Sequence, residues 1–204
     1  MKNKIIKQII VTLIGLMLCG IGIALFIQAN LGVDPASVFQ LGLSNVLGIS
    51  YGSASALMNI VILLIVYFKD KSYINISSIL AIFFIGYTAD VIKIVLQNLD
   101  IHQSFFNSSI LIILGQFIMC VGVATYIAAN LGVGAIDMVS ELISDKNNIE
   151  YRKVRVTVDV TFVIIGYILG GKLGIGTVVC ALATGPIVQF VRPYIEKNVN
   201  RFIN

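Results

Sequence analysis

The chain predicts an all-α membrane protein: six transmembrane helices in two three-helix inverted-topology repeats, each with a short broken or re-entrant helix after its first span. Three observations predict it. Of 204 residues, 58% are hydrophobic and only 12% charged, with a mean hydropathy of +0.97, a balance that soluble domains do not carry. Six apolar runs approach the roughly 20 residues a spanning helix needs. A polar interruption is also written twice, as "QANLGV" at 28–33 and "AANLGV" at 128–133. The length fits one membrane domain, 1–204, without a separate soluble catalytic domain.

The N-terminus has the basic start of a signal peptide. Its apolar run outlasts an h-region, however, and no A-x-A-like site follows, so residues 5–27 read as the first span. Residues 51–68, 76–96, 110–129, 154–169 and 175–191 read as the other five. The fifth has the weakest hydropathy and carries Asp159; the third carries Asp90 and Lys93 near its far end. Between the first and second spans, "GVDPASVFQLGLSNVLGIS" is too polar to cross. Asp34 suits an N-cap and Pro35 a first helical turn. Its second copy, "GVGAIDMVSELISDKNNIE", is more polar still. Both read as short helices, re-entrant or interfacial.

Charge sets the orientation. With the N-terminus in the cytoplasm and six crossings, Lys2, Lys4, Lys7, Lys69, Lys71, Lys146, Arg152, Lys153, Arg155, Arg192, Lys197 and Arg201 fall inside, and only Lys93 and Lys172 outside. The positive-inside rule then places both termini in the cytoplasm. The net charge of +4 follows from these loops and tails; no basic stripe or motif points to nucleic acid. The expected partners are the lipid bilayer and a small-molecule solute, and the size suits a homodimer. Cys19, Cys120 and Cys180 lie within apolar runs and read as small buried hydrophobes. His102 has no Cys or carboxylate at ligand spacing, so neither a metal nor another cofactor is expected.

The repeat extends beyond its polar core. Eight of the twelve residues 22–33 are identical to those at 122–133, and Tyr51/Tyr151, Asn59/Asp159, Gly86/Gly185, Asp90/Gln189 and Lys93/Arg192 also correspond. The halves run from about 5 to 98 and from about 106 to 197. Three spans in each half invert the second relative to the first, a pattern common in secondary transporters.

Irregular backbone at membrane depth must be buried in protein or line a wet cavity. Asn30, Gly32, Asn130 and Gly132 are therefore candidate solute contacts, and the helix starting after each break offers free N–H groups to an anion. The alternative is a helix C-cap and turn copied by duplication. Asp159 and its counterpart Asn59 are candidates for solute or proton binding, since polar groups in membrane helices are costly. Pairing of Asp159 with Arg155, at i−4, competes with that role. Asp90 is a second candidate for the coupling ion; local pairing with Lys93 is the simpler reading. Thr177, in the glycine-rich opening of the last span, lines a pathway or only packs; Asp137, in the second polar copy, completes the candidate set.

"ANLGVDPASVFQLGLSNVLGISYGS" together with "GGKLGIGTVVCALATGPIVQF" resembles the bacterial YczE/YyaS/YitT family of small integral membrane proteins, over nearly the whole chain. Where that family's first motif reads LG-x-x-P with a nearby acid, the first copy keeps Pro35 with Ser37, and the second has Ala135 with Asp137. The resemblance implies a bacterial plasma membrane and supports the topology; it carries no substrate. A small secondary transporter or channel for a small anionic or zwitterionic solute is the leading expectation. The alternative is a non-transporting partner, regulator or substrate-binding subunit of a larger complex. No H-E-x-x-H, G-x-S-x-G or comparable catalytic set is present, so an enzyme is not expected.

Overall fold

The computed structural model describes residues 2–99 and 104–203; His102 lies outside them. Eight α-helices form among the described residues, in the order α1 (Lys2–Ala29), α2 (Pro35–Leu47), α3 (Tyr51–Asp70), α4 (Ile76–Gln97), α5 (Phe105–Ala128), α6 (Ala135–Asn147), α7 (Tyr151–Ile168) and α8 (Ile175–Ile203). A single 3₁₀ turn, Lys71–Tyr73, links α3 to α4. Five helices are long and apolar enough to cross a membrane: α1, α3, α4, α5 and α8. Their outward faces carry large apolar side chains, among them Phe68 and Ile113, as lipid contact permits. The chain is a multi-pass helical membrane protein.

α2 and α6 form where the sequence places short helices, each 13 residues long. At 1.5 Å per residue that is about 20 Å, short of the roughly 30 Å hydrocarbon core. α2 starts as expected, with Asp34 as N-cap accepting from Ser37 N at 3.2 Å and Pro35 in the first turn. α8 runs well past the expected end of the last span at 191. Its final turns carry an Arg192–Glu196 pair at 2.6 Å, and Val199 and Ile203 dock on Val11 and Ala129. Lys7 Nζ donates to Ile203 O at 3.4 Å, so the start of α1 and the end of α8 lie at one end of the bundle.

The two halves repeat one another in backbone detail. Asn30 and Asn130 share φ +57°, and Gly32 and Gly132 have φ +104° and +98°. The left-handed C-caps of α2 and α6 are Gly48 and Asn148. Ser44 Oγ donates to Ile49 O at 2.6 Å, and Ser144 Oγ to Ile149 O at 2.6 Å.

α1 and α5 cross antiparallel along their length, on glycines. A Cβ on Gly15 would lie 2.8 Å from Gly122 O, and one on Gly22 2.6 Å from Gly115 O. These two contacts exchange under the 100-residue offset, since 15 pairs with 122 as 115 pairs with 22. The breaks obey the same exchange. Leu31 O accepts from Gly176 N at 2.8 Å, and Leu131 O accepts from Ser77 N at 3.2 Å. Each half thus lends its break to the start of a helix in the other.

Candidate functional site

α7 and the starts of α2 and α6 build a charged, half-buried cluster, its Arg155, Asp137 and Asp159 side chains 25–30% exposed. Arg155, on α7, lies at its centre. Its Nη1 donates to Asp137 Oδ1 at 2.6 Å and its Nε to Asp159 Oδ2 at 3.2 Å. Asp137 stands in the first turn of α6 and also accepts from Tyr151 OH at 3.0 Å and Tyr126 OH at 3.3 Å. The pairing of Asp159 with Arg155, anticipated from their spacing, is present. The bridge from Arg155 to Asp137 crosses between helices and leaves no trace in local sequence.

Asp34 reaches the same place from the other half. α2 and α7 pack in parallel register, with Phe39 5.4 Å from Phe162 between ring centroids, Gly42 against Gly166, and Asn45 Nδ2 donating to Gly170 O at 2.8 Å. Extending that register back brings Asp34 to the stretch of α7 between Arg155 and Asp159, and Asp34 lies within electrostatic reach of both. Burial pushes the Asp34 carboxyl above the usual carboxylate range, although its bonds to Ser37 and the nearby guanidinium pull it down. Asp34 Oδ2 and Asp159 Oδ1 are both closed to solvent and accept no hydrogen bond.

The first half carries a neutral version of the cluster. Tyr51 OH bonds Ser37 Oγ at 2.8 Å and donates to Gln40 Oε1, where Tyr151 donates to Asp137. Asn59 is buried at the position of Asp159, Gly134 answers to Asp34, and Ser55 to Arg155.

The other candidates fall elsewhere. Asn30 is exposed at the C-terminus of α1, and its Oδ1 accepts from Lys172 Nζ at 2.6 Å. Gly32 packs on Gly174 and Thr177, and Gly132 on Asn75. Asn130 turns the chain in the same left-handed conformation. Thr177, 3% exposed, lies at the start of α8 within 3.4 Å of Gly174 N. These residues dock one half on the other, the role the copied-turn reading gives them. Asp90 is not paired with Lys93 among the described ion pairs; its Oδ2 accepts from Gly52 N at 2.9 Å, capping the N-terminus of α3. The helix starts that the sequence offers to an anion already hold carboxylates of the chain, Asp34 on α2 and Asp137 on α6. Cys19, Cys120 and Cys180 are free and buried, as expected.

Sequence reasoning missed Tyr126, and met Tyr151 only as the counterpart of Tyr51, Asp34 only as a cap and Arg155 only as a neighbour of Asp159. One signal was available: Tyr151, Arg155 and Asp159 recur at i, i+4, i+8, one face of one helix.

The curated relatives fit a membrane protein. The uncharacterized membrane protein YczE of Bacillus subtilis (strain 168) is 27% identical over 95% of this chain and 89% of its own length. YyaS of the same organism is 24% identical over 91% and 92%, and an uncharacterized protein of Haemophilus influenzae is 28% identical over 90% and 83%. No solved structure matches the chain. The profile of the family of unknown function DUF6198 matches residues 6–193, and the chain belongs to that family.

Proposed function

We propose that the protein is a small, non-enzymatic secondary transporter of the bacterial plasma membrane, with two inverted-topology halves that move around the Asp34–Asp137–Arg155–Asp159 cluster. The observation that carries this reading is the exchanged packing of α1 on α5, antiparallel and with its glycine contacts swapped between copies. α7 serves as the sixth span. Its 18 residues reach about 27 Å, and its charged face turns toward α2 and α6. Three spans in each half then invert the second, and both termini share the cytoplasmic side, the side favoured by the basic residues. A cluster held between the start of α2 in one half and α6 and α7 in the other is where rocking of the halves acts on a bound solute.

Single cysteines at Leu47 and Asn147, exposed equivalents at the ends of α2 and α6, test the topology in a Cys-free background. Under the inverted arrangement an impermeant maleimide labels one from outside intact cells and the other only in inverted vesicles. Labelling of both from one side overturns the arrangement. Solute uptake by proteoliposomes containing the purified protein alone then separates transport from a partner role.

A further inference from the structure

We infer that the cluster holds one exchangeable proton, on Asp34 with Asp159 as the facing carboxylate, and that this proton is the ion that drives transport. The second half of this statement rests on the transport reading; the first does not.

The charge balance carries it. Asp34, Asp137 and Asp159 bring three carboxylates to one guanidinium. The N-termini of α2 and α6 add roughly half a positive charge each. About one negative charge is left over beside two carboxylate oxygens that are closed to solvent, Asp34 Oδ2 and Asp159 Oδ1, where an uncompensated charge is costly. The groups facing Asp34 offer no other cation. They are Ser37 on its own helix, Tyr51 on α3, Arg155 and Asp159 on α7, Cys180 on α8 and Cys19 on α1. Arg155 is committed to Asp137 and Asp159 by two hydrogen bonds. Among the described residues no group of three Asp, Glu, His or Cys side chains converges as metal ligands do. A proton, which needs no coordination shell, fits. It also suits the two buried carboxylate oxygens left without a donor, Asp34 Oδ2 and Asp159 Oδ1, because protonation removes the charge from one of them and gives it a hydroxyl donor. Burial favours the neutral form of Asp34 in the same sense.

The exchange balances simply. When the cluster opens to water, the Asp34 carboxyl gives its proton to water and becomes a carboxylate facing Arg155. When the cluster closes, it must be protonated again. Repeating this with the cluster open to opposite sides moves one proton per cycle.

The test uses the purified full chain in detergent. Infrared spectra at neutral pH are expected to show a protonated-carboxyl stretch, absent in Asp34→Asn. That variant keeps an oxygen to cap Ser37 N, so it is expected to fold. Thermal stability of the wild type should fall as pH rises above the ordinary carboxylate range, because the folded state binds the extra proton; in Asp34→Asn this slope should be lost. A band that survives Asp34→Asn and disappears in Asp159→Asn overturns the assignment to Asp34. No band, with identical pH slopes in all three proteins, overturns the proton altogether. Solute uptake into proteoliposomes with and without an imposed pH gradient tests the coupling separately. Uptake that ignores the gradient removes the driving role, and absence of any uptake counts against transport while leaving the proton in place.

Discussion

The seam between α3 and α4 is closed, and its counterpart between α7 and α8 is open. In the first half Gly52 meets Gly86, where a Cβ on Gly86 would lie 2.8 Å from Gly52 Cα, and Asp90 caps the start of α3. In the second half α7 packs on α2 and α6 and forms no such seam with α8. Arg152 stands where Gly52 would be, Gln189 replaces Asp90, and nothing lies within 4 Å of a Cβ on Gly185. Ala181, Gly185 and Gln189 are exposed, whereas Ile82 and Gly86, the counterparts of the first two, are buried. The glycine is kept in both copies while its partner is kept in only one. The closed seam lies toward the C-terminal end of α1, where Gly20 packs on Ile85 and Thr88; the open one lies toward the termini. On the transport reading this is a state open to the cytoplasm, and the opposite state closes α7 on α8 while releasing α3 from α4.

The largest expected effect comes from filling the two seams. Gly86→Leu overpacks a contact between backbones and should cost about 3 kcal/mol or more, read as a large fall in thermal unfolding temperature in detergent. Gly185→Leu points into open space and should stay within about 0.5 kcal/mol of wild type. The same Gly185→Leu protein should nonetheless lose solute uptake, because the seam can no longer close. Equal destabilisation by both changes would mean that the two seams are alike in solution and that the asymmetry has no functional meaning.

The charged cluster and its neutral counterpart give a second contrast. Arg155→Ala leaves Asp137 and Asp159 without their common partner; with side chains 25–30% exposed, the loss of this partly buried pair should cost about 1–3 kcal/mol. Ser55, at the equivalent position, is buried and its hydroxyl has no partner, so Ser55→Ala should be neutral or slightly stabilising. Arg155→Lys should recover only part of the loss, because an ammonium cannot present the guanidinium's fixed fork to two carboxylates at once. Full rescue by lysine would reduce the cluster to simple charge balance.

How much of this was legible in the sequence differs between fold and site. Hydropathy placed five helices long and apolar enough to span, α1, α3, α4, α5 and α8, because lipid leaves the backbone few alternatives; the charged α7 is not among them. The ANLGV copies located both breaks because left-handed turns need Asn and Gly at fixed positions. Asp34 announced its cap, since Pro35 follows it. The extension of α8 past Pro186 and Pro193 was not legible, since proline normally ends or kinks a helix. The cluster was legible only where it is local, as the Arg155–Asp159 pair. The bridge to Asp137, the approach of Asp34 and the tyrosine bonds join residues from α2, α5, α6 and α7, and no periodicity encodes which helices meet. Asp90 misled for the same reason: its partner, Gly52, lies on another helix.

The smallest effect probes whether the two copies still share one backbone. Gly48 and Asn148 end α2 and α6 in the left-handed region, at φ +65° and +52°. Space is not at issue at Gly48, since nothing lies within 4 Å of a Cβ there. Gly48→Ala should therefore cost only the conformational penalty, about 1 kcal/mol. Gly48→Asn, which installs the second copy's residue in the first, should cost less than about 0.5 kcal/mol, because asparagine tolerates that conformation. The reciprocal Asn148→Gly should be as mild. If Gly48→Asn cost as much as Gly48→Ala in thermal unfolding, the caps would differ in surroundings as well as in residue. The divergence seen at the α7–α8 seam would then extend to the short helices, and the two halves could not exchange conformations simply by trading places.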